Sequence, residues 1–301
     1  MYLCACAEAS LPHSVYGVQL SYMELLHVLP FLYVLFVVAL LGLIIGSFLD
    51  VVASRFHTGK SLNGRSRCMS CGHTLSWYEL FPLVSYLFLR GKCKKCDASI
   101  PSRLLLMEIC TAGFFVFVFL NATSYPFLFF GLILTSVLIV IALYDIRHMV
   151  IPHEFVYVIG VLSLLSIGHE VYLSQTFSAF IPHVLSALCV SLFYFVLWAF
   201  SKGRWIGLGD VKLALPLALM LTPYSAFSFV VLSFWIGALI SVALLCVQKM
   251  LQGGKHRLRI LRIPLTIRSE VPFAPFMLLA FGAVFFAQAN VFTFMMHLLP
   301  L

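Results

Sequence analysis

The chain has 301 residues, of which 62% are hydrophobic and only 10% are charged, and its formal net charge is +8. This composition excludes a water-soluble globular domain and indicates a polytopic membrane protein, because about 20 consecutive apolar residues cross a bilayer as a helix. The positive charge does not indicate nucleic-acid binding, since no nucleic-acid motif accompanies it and the basic residues lie beside the apolar runs.

Long apolar runs predict an all-α bundle of about eight membrane-spanning helices, because they lack the alternation of apolar and polar residues that marks strands. The sixth run is short, and we expect it to be tilted or re-entrant. The candidate spans are residues 30–54, 103–121, 126–145, 154–173, 178–200, 210–222, 225–248 and 272–297. They predict four parts of the chain: an external segment (1–29), a first span (30–54), a hydrophilic insert (55–102) and a membrane bundle (103–301).

The distribution of basic residues predicts the orientation in the membrane. Cytoplasmic loops are enriched in Lys and Arg. If the N-terminus lies outside and the chain crosses eight times, the cytoplasmic segments are 55–103, 145–153, 201–212 and 249–271, and all 19 Lys and Arg residues fall within them. We therefore predict that both termini lie outside and that the insert faces the cytoplasm.

Four of the nine cysteines form two CxxC pairs in the hydrophilic insert. They are Cys68 with Cys71 and Cys93 with Cys96, and residues 72–92 separate the pairs. Two such pairs can close a tetrahedral four-thiolate zinc site, which is structural because it has no open position for catalysis. Thiols stay reduced in the cytoplasm, so the sequence favours zinc over disulfides. Two redox-active or incidental CxxC pairs are the alternative.

Two aspartates stand out among the few acidic residues, because each lies at the predicted cytoplasmic end of an apolar run. Asp145 ends the third span and Asp210 begins the sixth. A membrane carboxylate is costly, about 2.5–3.5 kcal/mol at the bilayer centre, so it indicates a function. Two carboxyl groups in close approach share one proton. The ionised group can then take a proton from water while the protonated group polarises a peptide carbonyl.

Residues beside the aspartates are candidates for active-site support. Gly207 and Gly209 would let a substrate backbone approach Asp210 without a side-chain clash. Lys212 either tunes the pair or extends its ammonium group to the interface. Each aspartate also has a structural alternative, because an Asp at a helix start is often an N-cap and an Asp at a helix end often pairs with an Arg.

Two further acids lie near the ends of the first two spans. Glu108, about one turn into the second span, can orient Arg103 or a neighbouring helix, and Asp50 can do the same with Arg55. Both acids therefore have a structural interpretation, and Glu108 and Arg103 are also candidates for supporting the active site.

Together these motifs resemble the type IV prepilin peptidases, which are membrane aspartic proteases with a Gly-x-Gly-Asp signature. The similarity runs in register from about residue 42 to 280. Two positions depart from the family pattern, where Asn is usual in place of Asp50 and Gly in place of Ala274. The matching segments include Gly46-Ser47-Phe48-Leu49-Asp50-Val51-Val52, Cys68-Met69-Ser70-Cys71-Gly72-His73, Trp77-Tyr78-Glu79, Arg90-Gly91-Lys92-Cys93, Cys96, Arg103, Glu108, Asp145 with Ile151-Pro152, Gly207-Leu208-Gly209-Asp210-Val211-Lys212 and Pro272-Phe273-Ala274-Pro275-Phe276.

The resemblance implies a reaction and its location. Asp145 and Asp210 carry over as the catalytic pair of an endopeptidase in the bacterial cytoplasmic membrane. It removes the short basic leader of prepilins or pseudopilins after a Gly at the cytoplasmic face. Many family members also methylate the new N-terminal residue with S-adenosylmethionine, an activity associated with the cysteine-containing insert. Asp50 bears on this second activity, because a negative charge there alters that region.

Three alternatives remain at this point. The chain is a peptidase only, with the insert serving docking or stability; or a transporter that uses Asp145 and Asp210 as ion ligands; or a scaffold whose zinc insert binds partners. The location of both acids at one membrane edge and the lack of repeats argue against a transporter. The predicted partners are prepilin or pseudopilin substrates and the lipid bilayer, whereas the oligomeric state is open.

Overall fold

The computed structural model of the chain describes residues 13–59, 61, 64, 66–68, 70–176, 178, 180–252 and 272–291, and it describes the backbone alone for 13–29, 77 and 248–252. Parts of several predicted segments lie outside the described residues. They are residues 1–12 of the external segment, Lys60 and Arg65 of the insert, 253–271 of the last basic loop and 292–297 of the last predicted span.

The described residues form helices and no β-strand, so the predicted all-α membrane fold is confirmed. A short 3-10 helix, Trp77–Leu80, lies in the insert. The α-helices are α1 (His13–Arg55), α2 (Val84–Phe88), α3 (Ser102–Asn121), α4 (Tyr125–His148), α5 (His153–Ser174), α6 (Phe180–Ser201), α7 (Leu208–Leu219), α8 (Pro223–Gln252) and α9 (Ala274–Phe285).

Six helices in the described part of the chain are long and apolar enough to cross a membrane. They include Pro30–Arg55 of α1 and Pro223–Val247 of α8, together with α3, α4, α5 and α6. The other two apolar helices, α7 and α9, have 12 residues each. At 1.5 Å per residue they are about 18 Å long, which is less than the hydrocarbon core of a bilayer. The short sixth span is thus observed as α7.

Two predicted spans differ in length from the helices that contain them. The helix around the first span begins at His13, so residues 13–29 continue it with Pro30 inside. The helix in the last predicted span, 272–297, ends at Phe285. Gln288 beyond it has a left-handed backbone with φ of 50°, which interrupts a helical path.

Helix α4 is the centre of the bundle. More than half of its most apolar stretch is buried, and it contacts α1, α3, α5 and α9. Helix α1 also packs closely along α3, because an added Cβ at Gly42 would lie 2.6 Å from the Cα of Ala112. Small residues allow such close packing between membrane helices. Helix α7 packs between α5 and α6, and α8 packs along α9.

Candidate active site

Asp145 lies in the last turn of α4 and points into the bundle. It is only 6% exposed. Helix α4 ends three residues later, at His148, and the next residue, Met149, adopts a left-handed conformation and donates its backbone N–H to the Asp145 carbonyl. The Oδ2 atom of Asp145 is buried and has no hydrogen-bond partner among the described residues. The backbone amide of Ala274, at the start of α9, interacts with the same carboxyl group.

Asp210 lies in the first turn of α7 and is 7% exposed. Gly207 is the N-cap of this helix, and its backbone N–H donates a hydrogen bond of 3.1 Å to Oδ2 of Asp210. The contact resembles one half of a capping box, in which an acid at the third helical position bonds back to the N-cap backbone. The alternative in which Asp210 itself is the N-cap is therefore wrong.

The segments that follow Asp145 and precede Asp210 are in direct contact. Ile151, between α4 and α5, packs on Gly209, and an added Cβ at Gly209 would lie 3.2 Å from the Ile151 Cβ. Across this contact the two carboxyl groups are close enough to interact electrostatically. The structure thus brings together two acids that lie 65 positions apart in the sequence (210 − 145).

The predicted supporting residues divide into two groups. Gly207 and Gly209 lie at the aspartate pair, and an added Cβ at Gly207 would lie 3.3 Å from Oδ2 of Asp210. Lys212 and Arg103 are exposed. Glu108 is buried, and its Oε2 accepts the backbone N–H of Leu83 in the insert at 2.8 Å. Glu108 thus orients the insert, and no ion pair joins it to Arg103 in the described part of the chain.

The predicted pairing of Asp50 with Arg55 is wrong. Asp50 is buried and forms an ion pair with the partly buried Arg147, which follows Asp145 by two residues. Arg55 instead donates a hydrogen bond of 2.9 Å to the carbonyl of Ser61. Asp50 faces the end of α4 because α1 packs against α4 as well as α3. The ion pair therefore connects the first helix to the turn of α4 that carries Asp145.

Two polar residues near Asp210 were missed by sequence reasoning. Tyr194 is fully buried in α6, and its hydroxyl lies 2.7 Å from the Ser233 Oγ on α8. Tyr194 also interacts electrostatically with Asp210. Their only sequence signal is a hydroxyl inside an apolar run. Ala274 lies in a segment that matches the family pattern, but nothing in the sequence indicates that its backbone amide interacts with Asp145.

The four predicted zinc ligands meet in the insert. The Sγ atoms of Cys68, Cys71, Cys93 and Cys96 all lie within 4.8 Å of one another. Four thiols at this separation fit a tetrahedral structural zinc site. The backbone amides of Cys71 and Ser70 lower the pKa of the Cys68 thiol to about 6, which favours the thiolate that binds metal.

The two CxxC pairs belong to two copies of one turn. In the first copy, Gly72 donates its N–H to the Cys68 carbonyl, and in the second copy Asp97 donates to the Cys93 carbonyl. Both donors have positive φ, 69° and 53°. Isolated β-bridges close the two turns, Arg67 with Thr74 and Lys92 with Ser99. The matched turns direct both pairs of thiols to one point.

Comparison with known proteins gives two family matches. The model described as "Bacterial Peptidase A24 N-terminal domain" matches residues 40–122, and the "Type IV leader peptidase family" matches residues 132–242. The first match contains the four cysteines, and the second contains both aspartates. No solved structure matches the chain.

Three similar proteins carry the description "Prepilin leader peptidase/N-methyltransferase". The one from Myxococcus xanthus (strain DK1622) is 31% identical over 207 residues, which are 68% of this chain and 61% of that protein. The one from Dichelobacter nodosus is 32% identical over 60% of this chain and 72% of its own length. The one from Klebsiella pneumoniae is 33% identical over 61% of this chain and 83% of its own length.

Proposed function

Because this chain belongs to the type IV leader peptidase family, we propose that it is a membrane aspartic endopeptidase that removes the basic leader of type IV prepilins or pseudopilins. Cleavage occurs after a Gly, at the cytoplasmic face of a bacterial inner membrane. The relatives' descriptions support prepilin processing. The observation that carries the mechanism is the convergence of Asp145 and Asp210, both buried, from different helices.

The proposed chemistry is direct attack by water. One carboxylate takes a proton from water, and the water oxygen attacks the carbonyl carbon of the leader Gly. The protonated carboxyl group donates a hydrogen bond to the carbonyl oxygen. The proton then passes to the departing amine as the C–N bond breaks, so no acyl-enzyme forms. The Oδ2 atom of Asp145 has no hydrogen-bond partner among the described residues, which supports this role, because such a buried carboxylate oxygen can accept a hydrogen bond from water or substrate.

Gly207 supports access of the scissile peptide to Asp210. Among the described residues, an added Cβ at Gly207 would meet only the Asp210 carboxyl group and the backbone of Gly209, whereas Ile151 fills the space beside Gly209. The predicted topology, with both termini outside, places this region at the cytoplasmic membrane surface. A prepilin with a positively charged leader and an apolar helix would have its scissile bond at the same depth, because the leader stays in the cytoplasm.

We also propose that the chain methylates the new N-terminal residue with S-adenosylmethionine. The relatives' descriptions include N-methyltransferase, and the insert with its four cysteines is the associated region. Zinc held by Cys68, Cys71, Cys93 and Cys96 would stabilise the fold of the insert, because a closed four-thiolate site supplies folding energy. To test for this second activity, the purified chain is given a cleaved substrate and S-adenosylmethionine with a labelled methyl group. If the product carried no label, the chain would be a peptidase only.

The peptidase proposal is tested with single acid-to-amide substitutions. The purified chain in lipid nanodiscs receives a prepilin with a basic leader ending in Gly. We expect Asp145→Asn and Asp210→Asn each to abolish cleavage, because either change removes the shared-proton pair. The matched control is Asp97→Asn, an exposed aspartate of the insert, which should cleave normally. Cleavage by either Asp145→Asn or Asp210→Asn at the unsubstituted rate would exclude the aspartic mechanism.

A further inference from the structure

We infer that the hydrophilic insert docks on the anionic surface of the adjoining bilayer leaflet through an apolar patch. The insert patch consists of Leu80, Val84, Leu87 and Phe88, which lie on the 3-10 helix and α2 and are all exposed. The inference does not depend on the proposed peptidase activity, since it concerns a different surface of the chain.

Among the residues that the structure describes, none buries the apolar face of helix α2. Val84, Leu87 and Phe88 have the i, i+3, i+4 spacing that places side chains on one face of a helix. None of the five side chains of α2 is buried, and Leu87 and Phe88 are 62% and 84% exposed. Large apolar side chains grouped on a hydrophilic insert mark a surface that meets a partner or a membrane.

The depth of the insert patch favours the membrane. The backbone N–H of Leu83, directly before α2, donates to Oε2 of Glu108 at 2.8 Å. Glu108 lies about 9 Å along α3 from its first residue, and α3 is long and apolar enough to span a bilayer. In this part of α3, Leu106 and Ile109 are also exposed. The hydrogen bond therefore holds α2 beside the first turns of a membrane helix, at the level of the headgroups.

The charge around the insert patch favours an anionic partner. Arg90, Lys92, Lys94 and Lys95 follow α2 and are all exposed. Only two acidic residues occur in 55–102, Glu79 and Asp97, and Glu79 is buried. Apolar side chains bordered by lysines and arginines are the pattern of segments that lie on anionic membranes. A basic peptide would be repelled from the same surface. The charge and the position beside α3 together favour anionic lipid as the occupant.

Photo-crosslinking in a bilayer tests this docking. Phe88 is replaced by p-benzoylphenylalanine, and the full chain is placed in nanodiscs of phosphatidylethanolamine with phosphatidylglycerol as the minor component. After irradiation, mass spectrometry identifies what is attached at residue 88. We expect phospholipid adducts, with phosphatidylglycerol above its share of the bilayer. The matched control carries the same photo-reactive residue at Ser70, an exposed polar position of the insert, and should give few lipid adducts.

Each outcome decides the inference. Lack of lipid adducts at residue 88, or adducts to a second copy of the chain or to an added prepilin instead, would overturn it. Lys92→Gln combined with Lys95→Gln should keep the adducts but remove the excess of phosphatidylglycerol. If the excess of phosphatidylglycerol among the adducts were unchanged, the inference that the lysines attract anionic lipid would be wrong. Zinc content equal to that of the unsubstituted chain shows that each variant retains a folded insert.

Discussion

Gly209 is the residue at which the two aspartate segments touch. Its missing side chain leaves room for Ile151, whose Cβ would lie 3.2 Å from an added Cβ and whose Cγ1 and Cδ1 would lie 3.4 Å away. Neither side can retreat easily, because Ile151 is buried between α4 and α5. The position of Asp210 relative to Asp145 therefore requires glycine at position 209, because even the methyl group of alanine would press on Ile151.

We predict that Gly209→Ala destabilises the chain by about 1–3 kcal/mol, the usual cost of overpacking. We also expect it to slow prepilin cleavage, because the carboxyl groups are pushed apart. Gly160→Ala is the matched control, since an added Cβ there meets nothing within 4 Å. Thermal unfolding and cleavage rates measure both effects. Equal behaviour of the two variants would show that this contact does not position the pair.

Asp50 gives a second test at the residue scale. Its partly buried ion pair with Arg147 lies two residues from Asp145. Removing one partner of a fully buried pair costs about 3–5 kcal/mol. We expect Asp50→Ala to cost less than that but still to lower both the unfolding temperature and the cleavage rate. Asp50→Asn should lower the unfolding temperature and the cleavage rate less, because its amide oxygen still accepts a hydrogen bond from the guanidinium group. Melting curves and single-turnover cleavage separate these variants.

The control for Asp50 is an exposed contact between a His and a Glu side chain. His57 and Glu154 lie 3.1 Å apart, and both side chains are more than half exposed. Exposed pairs contribute about 0–1 kcal/mol, so Glu154→Gln should behave almost like the unsubstituted chain. If Glu154→Gln lowered the unfolding temperature more than Asp50→Ala does, the Asp50–Arg147 pair would not stabilise the chain more than an exposed contact does.

At the scale of elements, α7 carries Asp210 in its first turn, and the carbonyl groups of its last turn are contacted by another helix. The helix has 12 residues and ends within the bundle, so its last carbonyl groups lack partners within the helix. Side chains of α6 supply them. His183 Nδ1 lies 3.2 Å from the Leu219 carbonyl. The single proton of the Ser186 hydroxyl is shared among the carbonyl groups of His183 in its own helix at 2.8 Å, of Leu221 just beyond α7 at 2.9 Å and of Ala218 at 3.3 Å. The polar residues of α6 thus hold the helix that carries Asp210.

Ser186→Ala should therefore destabilise the chain by about 1–2 kcal/mol, because it removes the donor to buried carbonyl groups. Ser174→Ala is the matched control, since its hydroxyl is exposed at the end of α5. Thermal unfolding in nanodiscs measures the difference. If Ser186→Ala and Ser174→Ala had equal unfolding temperatures, the Ser186 hydroxyl would not be needed to hold the end of α7.

The elements were predictable from the sequence to different degrees. The long spans follow from apolar composition alone. The sequence placed the start of the sixth span at residue 210, whereas α7 begins at Leu208 with Gly207 as its N-cap. The CxxC spacing also predicted that four thiols meet. In contrast, Asp50 and Arg147 lie 97 positions apart, and the donors to the end of α7 lie 32–36 positions away. These partners meet only because particular helices pack side by side, and an apolar run does not show which other helix it will contact.

At the scale of the whole molecule, the four thiols and the two aspartates lie in different parts of the chain. The Cys quartet lies entirely within the insert, whereas Asp145 and Asp210 belong to the bundle. A closed four-thiolate zinc site contributes directly to the folding of the segment that contains it. Loss of zinc should therefore loosen the insert before it affects the helices.

We predict that Cys93→Ser loses bound zinc and exposes residues 70–101 to limited proteolysis, while the helical circular dichroism signal changes little. Cys246→Ser, a cysteine of α8 outside the quartet, is the matched control and should keep its zinc. Metal analysis and peptide mapping of the digests provide the readouts. Retention of zinc by Cys93→Ser would contradict the four-thiolate assignment.

The central proposal, that paired carboxyl groups activate water directly, is tested by following the oxygen atom. Cleavage is run in water enriched in oxygen-18 with hydroxylamine present, and the released leader is analysed by mass spectrometry. We predict a free carboxylic acid on the leader Gly with one oxygen taken from water, and no hydroxamate. A hydroxamate product, or leader attached covalently to the chain, would instead reveal an acyl-enzyme and contradict the account.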